Sequence, residues 1–186
     1  MNIRTEADIV AIVKADPWMM DVLRAAEELN LPNWWIGAGF LRNKVWDAIE
    51  NNSSSPSRDV DLVYFDDVNV LPQTDWNYDE IMQAEYPFAE WEVRNQARMH
   101  YKNGFEPFTS TEDGIAHWTE TATCTAVKLK AGQLAFLFCH GLDDLVNLTA
   151  RPTEQFKAPE FLHIFHNRID VKRWRERWPH LIVTED

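Results

Sequence analysis

The sequence predicts an α+β (mixed α/β) chain: a mixed β-sheet flanked by helices. Three observations carry that expectation. The apolar run Trp34-Trp35-Ile36 stops at Gly37-Ala38-Gly39 and gives way to an amphipathic stretch. A second apolar run opens on Asp59-Val60-Asp61, and Glu90-Trp91-Glu92-Val93-Arg94 alternates as a strand does. Stretches of helical period lie before, between and after these runs, so strands and helices share one sheet system.

In chain order, residues 6 to 29 predict two helices parted near Asp16-Pro17, with the aspartate as cap and the proline at a first helical position. Ile9, Val10, Ile12, Val13, Met20, Leu23, Ala26 and Leu29 supply the apolar stripe, and Leu31-Pro32-Asn33 ends it. A strand over Trp34 to Ile36 leads through the glycine turn into a helix from Arg42 to Glu50. Arg42 and Lys44 fall in its first turn, where the helix dipole disfavours cations, so a phosphate contact would account for them. Residues 51–58 (NNSSSPSR) read as a flexible loop, with Arg58 able to pair with the acids that follow.

A turn-rich connection from Asp66 and a short helix over Asn77 to Tyr86 lead to the Glu90–Arg94 strand. Asn95, Gln96, Arg98 and His100 follow in a short helix, as polar surface or as contacts for an acceptor or phosphates. Glu112 to Trp118 forms another short helix. Thr121, Thr123 and Thr125 alternate into a strand ending near Lys130, which lines their hydroxyls on one face. Gln133 to His140 is an apolar strand turning at Gly141 into a helix that bears Asp143 and Asp144, the latter placed to hold a loop or an arginine. A last helix runs from Pro159 to about Arg177, with five basic residues between Arg168 and Arg177. His163 and His166 have no acid to complete a metal set.

The 186 residues fit a single domain, 1–186, with a catalytic core over 1–110 and further strands and C-terminal helices over 111–186. A chain of this size buries roughly 70% of its unfolded surface, so no disulfide framework is needed. Cys124 and Cys139 are the only cysteines and read as buried thiols of a reducing compartment. Early acids rule out a signal h-region and no apolar run approaches a membrane span, so a cytoplasmic protein is expected. Residues 1–93 carry 6 Lys+Arg against 18 Asp+Glu, while 94–186 carry 12 of each. The whole net charge of −12 therefore lies in the first half, which disfavours a nucleic acid partner. Nine tryptophans exceed what packing requires, and some could stack on a base or sugar.

The chemistry follows from strand period. Side chains two apart share a face at roughly 7 Å, so Asp59 and Asp61 project together. At about 4 Å between head groups and an effective dielectric near 20, their repulsion is on the order of 4 kcal/mol, which calls for a shared proton or a cation. A proton pair would suit glycoside hydrolysis. The glycine turn favours the cation, since backbone N–H groups at a helix start cradle phosphate, and phosphate beside paired acids asks for Mg²⁺. Glu90, Glu92 and Arg94 share a face of the next strand, and alternation does not choose which glutamate is the third carboxylate.

At these residues the chain resembles a family. Gly-x-Gly opening a helix, with Asp-x-Asp starting a strand about twenty residues on, is similar to the DNA polymerase beta-type nucleotidyltransferase superfamily. GAGFLRNKVWD, DVDLVYFD, WEVRNQARMH, TATCTAVKL and GLDDL, in that order, resemble a bacterial nucleotidyltransferase family across about residues 15 to 180. The resemblance implies a nucleotidyltransferase-type sheet and Mg²⁺-dependent transfer of an NMP from an NTP to an unidentified acceptor, a small molecule or protein ahead of nucleic acid. It implies that Asp59, Asp61 and Glu92 hold two Mg²⁺ (Mn²⁺ as substitute), with Glu92 also the base. Gly37 and Gly39 would bind the triphosphate, with Arg42, Asn43, Arg94 and Thr123 as further nucleotide contacts.

Two rivals are weighed. Gly37-x-Gly39 is half of a dinucleotide-binding fingerprint, but Arg42 stands where the third glycine belongs, and the paired acids open their strand where a ribose-binding acid would close it. Asp66 does close it. The other rival is a nucleotidyltransferase fold that binds NTP without turnover, against which the full acid set argues.

Overall fold

The computed structural model describes residues 1–52 and 58–186; the expected flexible loop falls mainly on 53–57, outside them. Helix α1 (Glu6–Lys14) starts at Thr5, whose side chain accepts from the Asp8 N–H while the Asp8 carboxylate answers the Thr5 N–H. Asp16 caps α2 (Pro17–Leu29), with Pro17 in its first turn, and Asn30 closes it in the left-handed region.

The remaining elements are β1 (Trp35–Gly37), α3 (Gly39–Glu50), β2 (Asp59–Tyr64), α4 (Pro72–Glu85), β3 (Glu90–Asn95), α5 (Thr111–Ala116), β4 (Thr125–Lys130), β5 (Gln133–Phe138), α6 (Asp143–Val146), β6 (Thr149–Ala150), α7 (Pro159–Val171), α8 (Trp174–Arg177) and β7 (Ile182–Val183). Five strands form one mixed sheet in the order β3-β2-β1-β4-β5. The middle strand β1 runs antiparallel to both neighbours, β2 and β3 are parallel with α4 as crossover, and β4 and β5 form a hairpin. Ala131 and Gly132, both at positive φ, make its two-residue turn. Because β4 pairs directly with β1, strands from residues 1–110 and from 111–186 share the one sheet.

Helix α3 buries Leu41, Val45 and Trp46 against the main core, with Ile36, Val60 and Leu62 from the sheet in the same cluster. Trp46 meets Trp174 and Trp178 edge-on at 5.6 and 4.9 Å, tying α8 to α3. A smaller cluster on the other sheet face gathers Trp35, Val63, Ile115, Cys124 and Ala126. Among the described residues, no helix is long and apolar enough to cross a membrane.

Several boundaries differ from expectation. Helix α3 begins at Gly39, so Arg42 closes its first turn and Lys44 lies in the second. Helix α4 begins at Pro72, not Asn77, because proline fits a first turn whose N–H groups need no partner. Thr121–Thr123 is a 3₁₀ turn rather than strand. The Thr121 and Thr123 hydroxyls bind Asp144 and Glu120, a local alternative to sheet pairing, so the three threonines do not line one face. Strand β5 stops at Phe138, short of His140. The single helix expected from Pro159 to Arg177 is broken at Arg173 (φ 53°), which brings both Trp174 and Trp178 onto Trp46. The short parallel β6–β7 pair was not expected; it joins residues near the C-terminal end to the segment after α6.

Candidate active site

The floor of the site is the β2–β3 pair. Its parallel register sets Asp59 opposite Glu90 and Asp61 opposite Glu92, and the two-residue period turns all four carboxylates to one face. The start of α3 lies beside them, across β1. Together they border a cavity of about 720 Å³, within the range of small-molecule sites. Gly39, Arg42, Asn43, Asp59, Asp61, Glu92, Arg94 and Thr123 all line it. Gly37 does not.

The turn works differently from a simple glycine bend. The strained conformation falls on Ala38 (φ 54°, ψ −125°), between the glycines. Gly37 is needed for space: a Cβ there would lie 2.6 Å from the Trp118 ring. At Gly39 a Cβ would come within 3.0 Å of the Asn43 amide nitrogen. Sequence reasoning treated the glycines as phosphate cradles, whereas the geometry makes Gly37 the seat of Trp118 and leaves Gly39 at the cavity.

Burial, then the neighbouring Glu92 charge, pushes the Asp61 carboxyl up to about 6. Glu92 is half-exposed and its Oε1 lies 3.1 Å from Arg94 Nε. Arg94 is held in turn by Asp79 at 2.8 Å. Among the described residues, no three His, Cys, Asp or Glu side chains are gathered closely enough to hold a metal ion. The donors are nevertheless of the right kind for Mg²⁺, all hard oxygens, and Asp61 faces a like charge across one strand spacing.

Arg42 is the unusual cation. It is 4% exposed, donates from Nη1 to Thr123 Oγ1 (2.6 Å) and from Nη2 to Asn43 Oδ1 (2.9 Å), and stacks 4.2 Å above the Trp174 ring. Its Nε has no partner, and no described carboxylate pairs with it. Burial brings its guanidinium down to about 10, with Glu120 the largest opposing influence. Glu120, fully buried, accepts from Thr123 Oγ1 (2.8 Å) and from Arg168 Nε (2.7 Å). Lys44 pairs with Asp16 at 2.6 Å, while Arg58 donates to the carbonyls of Pro87 and Phe88.

Other candidates have structural partners. Asn95 bridges the backbone of Asp66, Asn69 and Ala97, Arg98 pairs with buried Asp75, and buried His100 packs on Tyr101 and Phe108. Gln96 lines the cavity. Asp144 holds Arg151 and Thr121, and His166 meets Glu185. Of the nine tryptophans, Trp18 and Trp118 border the cavity. Arg168, Lys172 and Arg177 also line it and were not singled out. Their signal was present: Arg168 and Lys172 stand four apart, hence on one helix face.

No curated protein matches the chain. Among solved structures, it is similar to an NMR structure described as a CCA-adding enzyme head domain, with TM-score 0.88, 25% identity, and coverage of 99% of this chain and 98% of that one. A CCA-adding enzyme in complex with CTP shares the fold at TM-score 0.59 and 15% identity, with 100% and 44% covered. The Thermotoga maritima CCA-adding enzyme complexed with tRNA does so at TM-score 0.58 and 15% identity, with 98% and 43% covered. The chain thus spans less than half of these two enzymes. A family model described as nucleotidyltransferase matches residues 24–183, as the five ordered motifs lead one to expect, and the chain belongs to that family of transferases.

Proposed function

We propose that the chain is a Mg²⁺-dependent nucleotidyltransferase that moves an NMP from an NTP to an acceptor hydroxyl. The observation that carries this is a buried arginine, Arg42, without an ion-pair partner, in the same cavity as the in-register acids Asp61 and Glu92. Arg42 lacks an anion and Asp61 forms no ion pair with a described cation; a metal-bound triphosphate would supply a partner to both.

In this reading Asp59, Asp61 and Glu92 would hold the metal, two Mg²⁺ ions or Mn²⁺ in their place, which would polarise the phosphates and lower the pKa of the acceptor hydroxyl. Gly39 and Asn43 at the start of α3 take the triphosphate with Arg42, Gly37 keeps Trp118 seated beside them, and Thr123 fixes the Arg42 guanidinium. Arg94, beside Glu92, would contact phosphate, and Glu92 would accept the acceptor's proton. The chain acts as one unit, since Thr123 and Arg168 line the cavity that begins at Gly39.

Binding of CTP and ATP by CCA-adding enzymes of this fold supports an NTP donor. For the acceptor we favour a small molecule or protein over nucleic acid, on the net charge of −12, all of it from the half that bears the carboxylates. The tRNA bound by the Thermotoga maritima enzyme makes tRNA the rival acceptor. The deciding assay is pyrophosphate release from each of the four NTPs, with and without Mg²⁺, against tRNA, alcohol, aminoglycoside and protein acceptors. Release that needs Mg²⁺ supports the reading; none under any condition defeats it. A silent NTP-binding module is the second reading, favoured by the Glu92–Arg94 pair and the ungathered carboxylates. NTP binding without release would select it.

A further inference from the structure

A second, smaller cavity of about 300 Å³ meets the large one at the acids. Asp59, Asp61, Glu92 and Lys172 line both, while Val60, Gln83, Glu90 and Trp91 line the smaller alone. Nucleotidyl transfer needs donor and acceptor on opposite sides of one phosphorus, in line. The shared wall is where two such ligands would meet, and Lys172 is the cation common to both cavities.

All but one of the other lysines and arginines that line the large cavity are committed. Arg42 is bonded to Thr123 and Asn43, and Lys44 to Asp16. Arg94 is held by Asp79, Arg168 by Glu120, and Arg177 by Asp47. Lys172 is exposed and forms no ion pair with a described carboxylate, although its charge reaches Asp61. Lys102 also forms no such pair, but it lines only the large cavity. Lys172 caps the C-terminal end of α7, just before the chain breaks at Arg173, and lines both cavities beside the acids. A compact ammonium on a flexible stem at that point can follow a moving phosphoryl group, which a guanidinium fixed on both sides cannot.

Resting on the transfer reading above, we propose that Lys172 is a catalytic residue whose ammonium contacts the α-phosphoryl group as it passes between the two cavities. The acceptor oxygen bonds to the α-phosphorus as the bond from that phosphorus to the pyrophosphate oxygen breaks. The hydroxyl proton goes to the Glu92 carboxylate, and the bond electrons leave with pyrophosphate. Lys172 keeps its proton throughout and offsets charge on the non-bridging oxygens.

The test compares the full chain with its Lys172→Ala and Lys172→Arg variants, using pyrophosphate release from ATP or CTP with Mg²⁺ and the acceptor panel above. Lys172→Ala should lower kcat by tenfold to a hundredfold and change the NTP KM less than threefold. Lys172→Arg should recover part of the rate, and added n-propylammonium should rescue Lys172→Ala. Circular dichroism melts matching wild type would show that the exposed substitution leaves the fold intact. Wild-type turnover by Lys172→Ala would overturn the assignment and leave nucleotidyl transfer standing. A rise confined to KM, or a kcat loss that neither arginine nor the amine restores, would overturn it too. Absence of release by wild type would remove the transfer reading, and this assignment with it.

Discussion

Asp61 and Glu92 stand opposite each other on adjacent parallel strands, and the first, buried beside the charge of the second, holds its proton up to about pH 6. The usual aspartate value is 3.8, so the folded chain binds this proton more tightly than the unfolded one. Stability is therefore lost as pH rises from about 4 to about 6, and the full cost remains above that. Asp61→Asn should abolish metal-dependent transfer yet melt higher than wild type at pH 7.5 in EDTA. The expected gain is about 1–2 kcal/mol, below the 3 or so that two pH units convert to, because Asp61 keeps some solvent contact. At pH 4 the two should melt alike. A variant that turns over, or is no more stable at pH 7.5, contradicts this account.

Arg42→Ala removes a buried cation from above the Trp174 ring and from Thr123. Under the proposed function, it should raise the apparent NTP KM at least tenfold and lower kcat less. Stability should change by about 2 kcal/mol or less, since the lost stacking is offset by relief of a desolvated charge. An unchanged KM in steady-state kinetics would return Arg42 to a packing role.

Ala38 occupies a backbone region that glycine reaches without strain. Ala38→Gly should therefore stabilise the chain by roughly 1 kcal/mol in a urea melt. Gly37→Ala should destabilise it by roughly 2 kcal/mol or more, because the new methyl would displace Trp118. Equal effects of the two substitutions would refute this division of labour within the turn.

Arg98 and Asp75 test whether the segment after β3 is scaffold. Asp75 is fully buried and accepts from the Tyr64 hydroxyl, the Asn95 N–H and Arg98. Asp75→Ala should cost on the order of 3–5 kcal/mol in chemical denaturation. Arg98→Ala should lower stability while leaving the NTP KM within twofold. A KM effect without a stability loss would make Arg98 a substrate contact.

Local pattern carried much of this fold and its candidate site. Asp16-Pro17 marks a helix start that only its own neighbours determine, and Asp59-x-Asp61 sets a shared face through strand period alone. That Glu90 faces Asp59 and Glu92 faces Asp61 depends on the register of β2 against β3, a pairing of distant segments that alternation does not encode. Glu120 was unreadable for a similar reason: its partners, Thr123 and Arg168, lie on a 3₁₀ turn and a distant helix. Thr121 and Thr123 misled because their strand-like alternation competes with side-chain bonds that surrounding acids supply. The break at Arg173 reflects packing on Trp46, which the helical period of residues 159 to 177 conceals.

The walls of the large cavity come from Asp16 at one extreme of the chain and Arg177 near the other, with contributions from most segments between. Whatever settles there must fasten parts that the unfolded polymer holds far apart. Occupancy should therefore be visible as thermal protection of the whole molecule, by about 2.7 kcal/mol at a hundred times the dissociation constant. Candidate donors and acceptors can accordingly be ranked by melting temperature before any turnover assay exists.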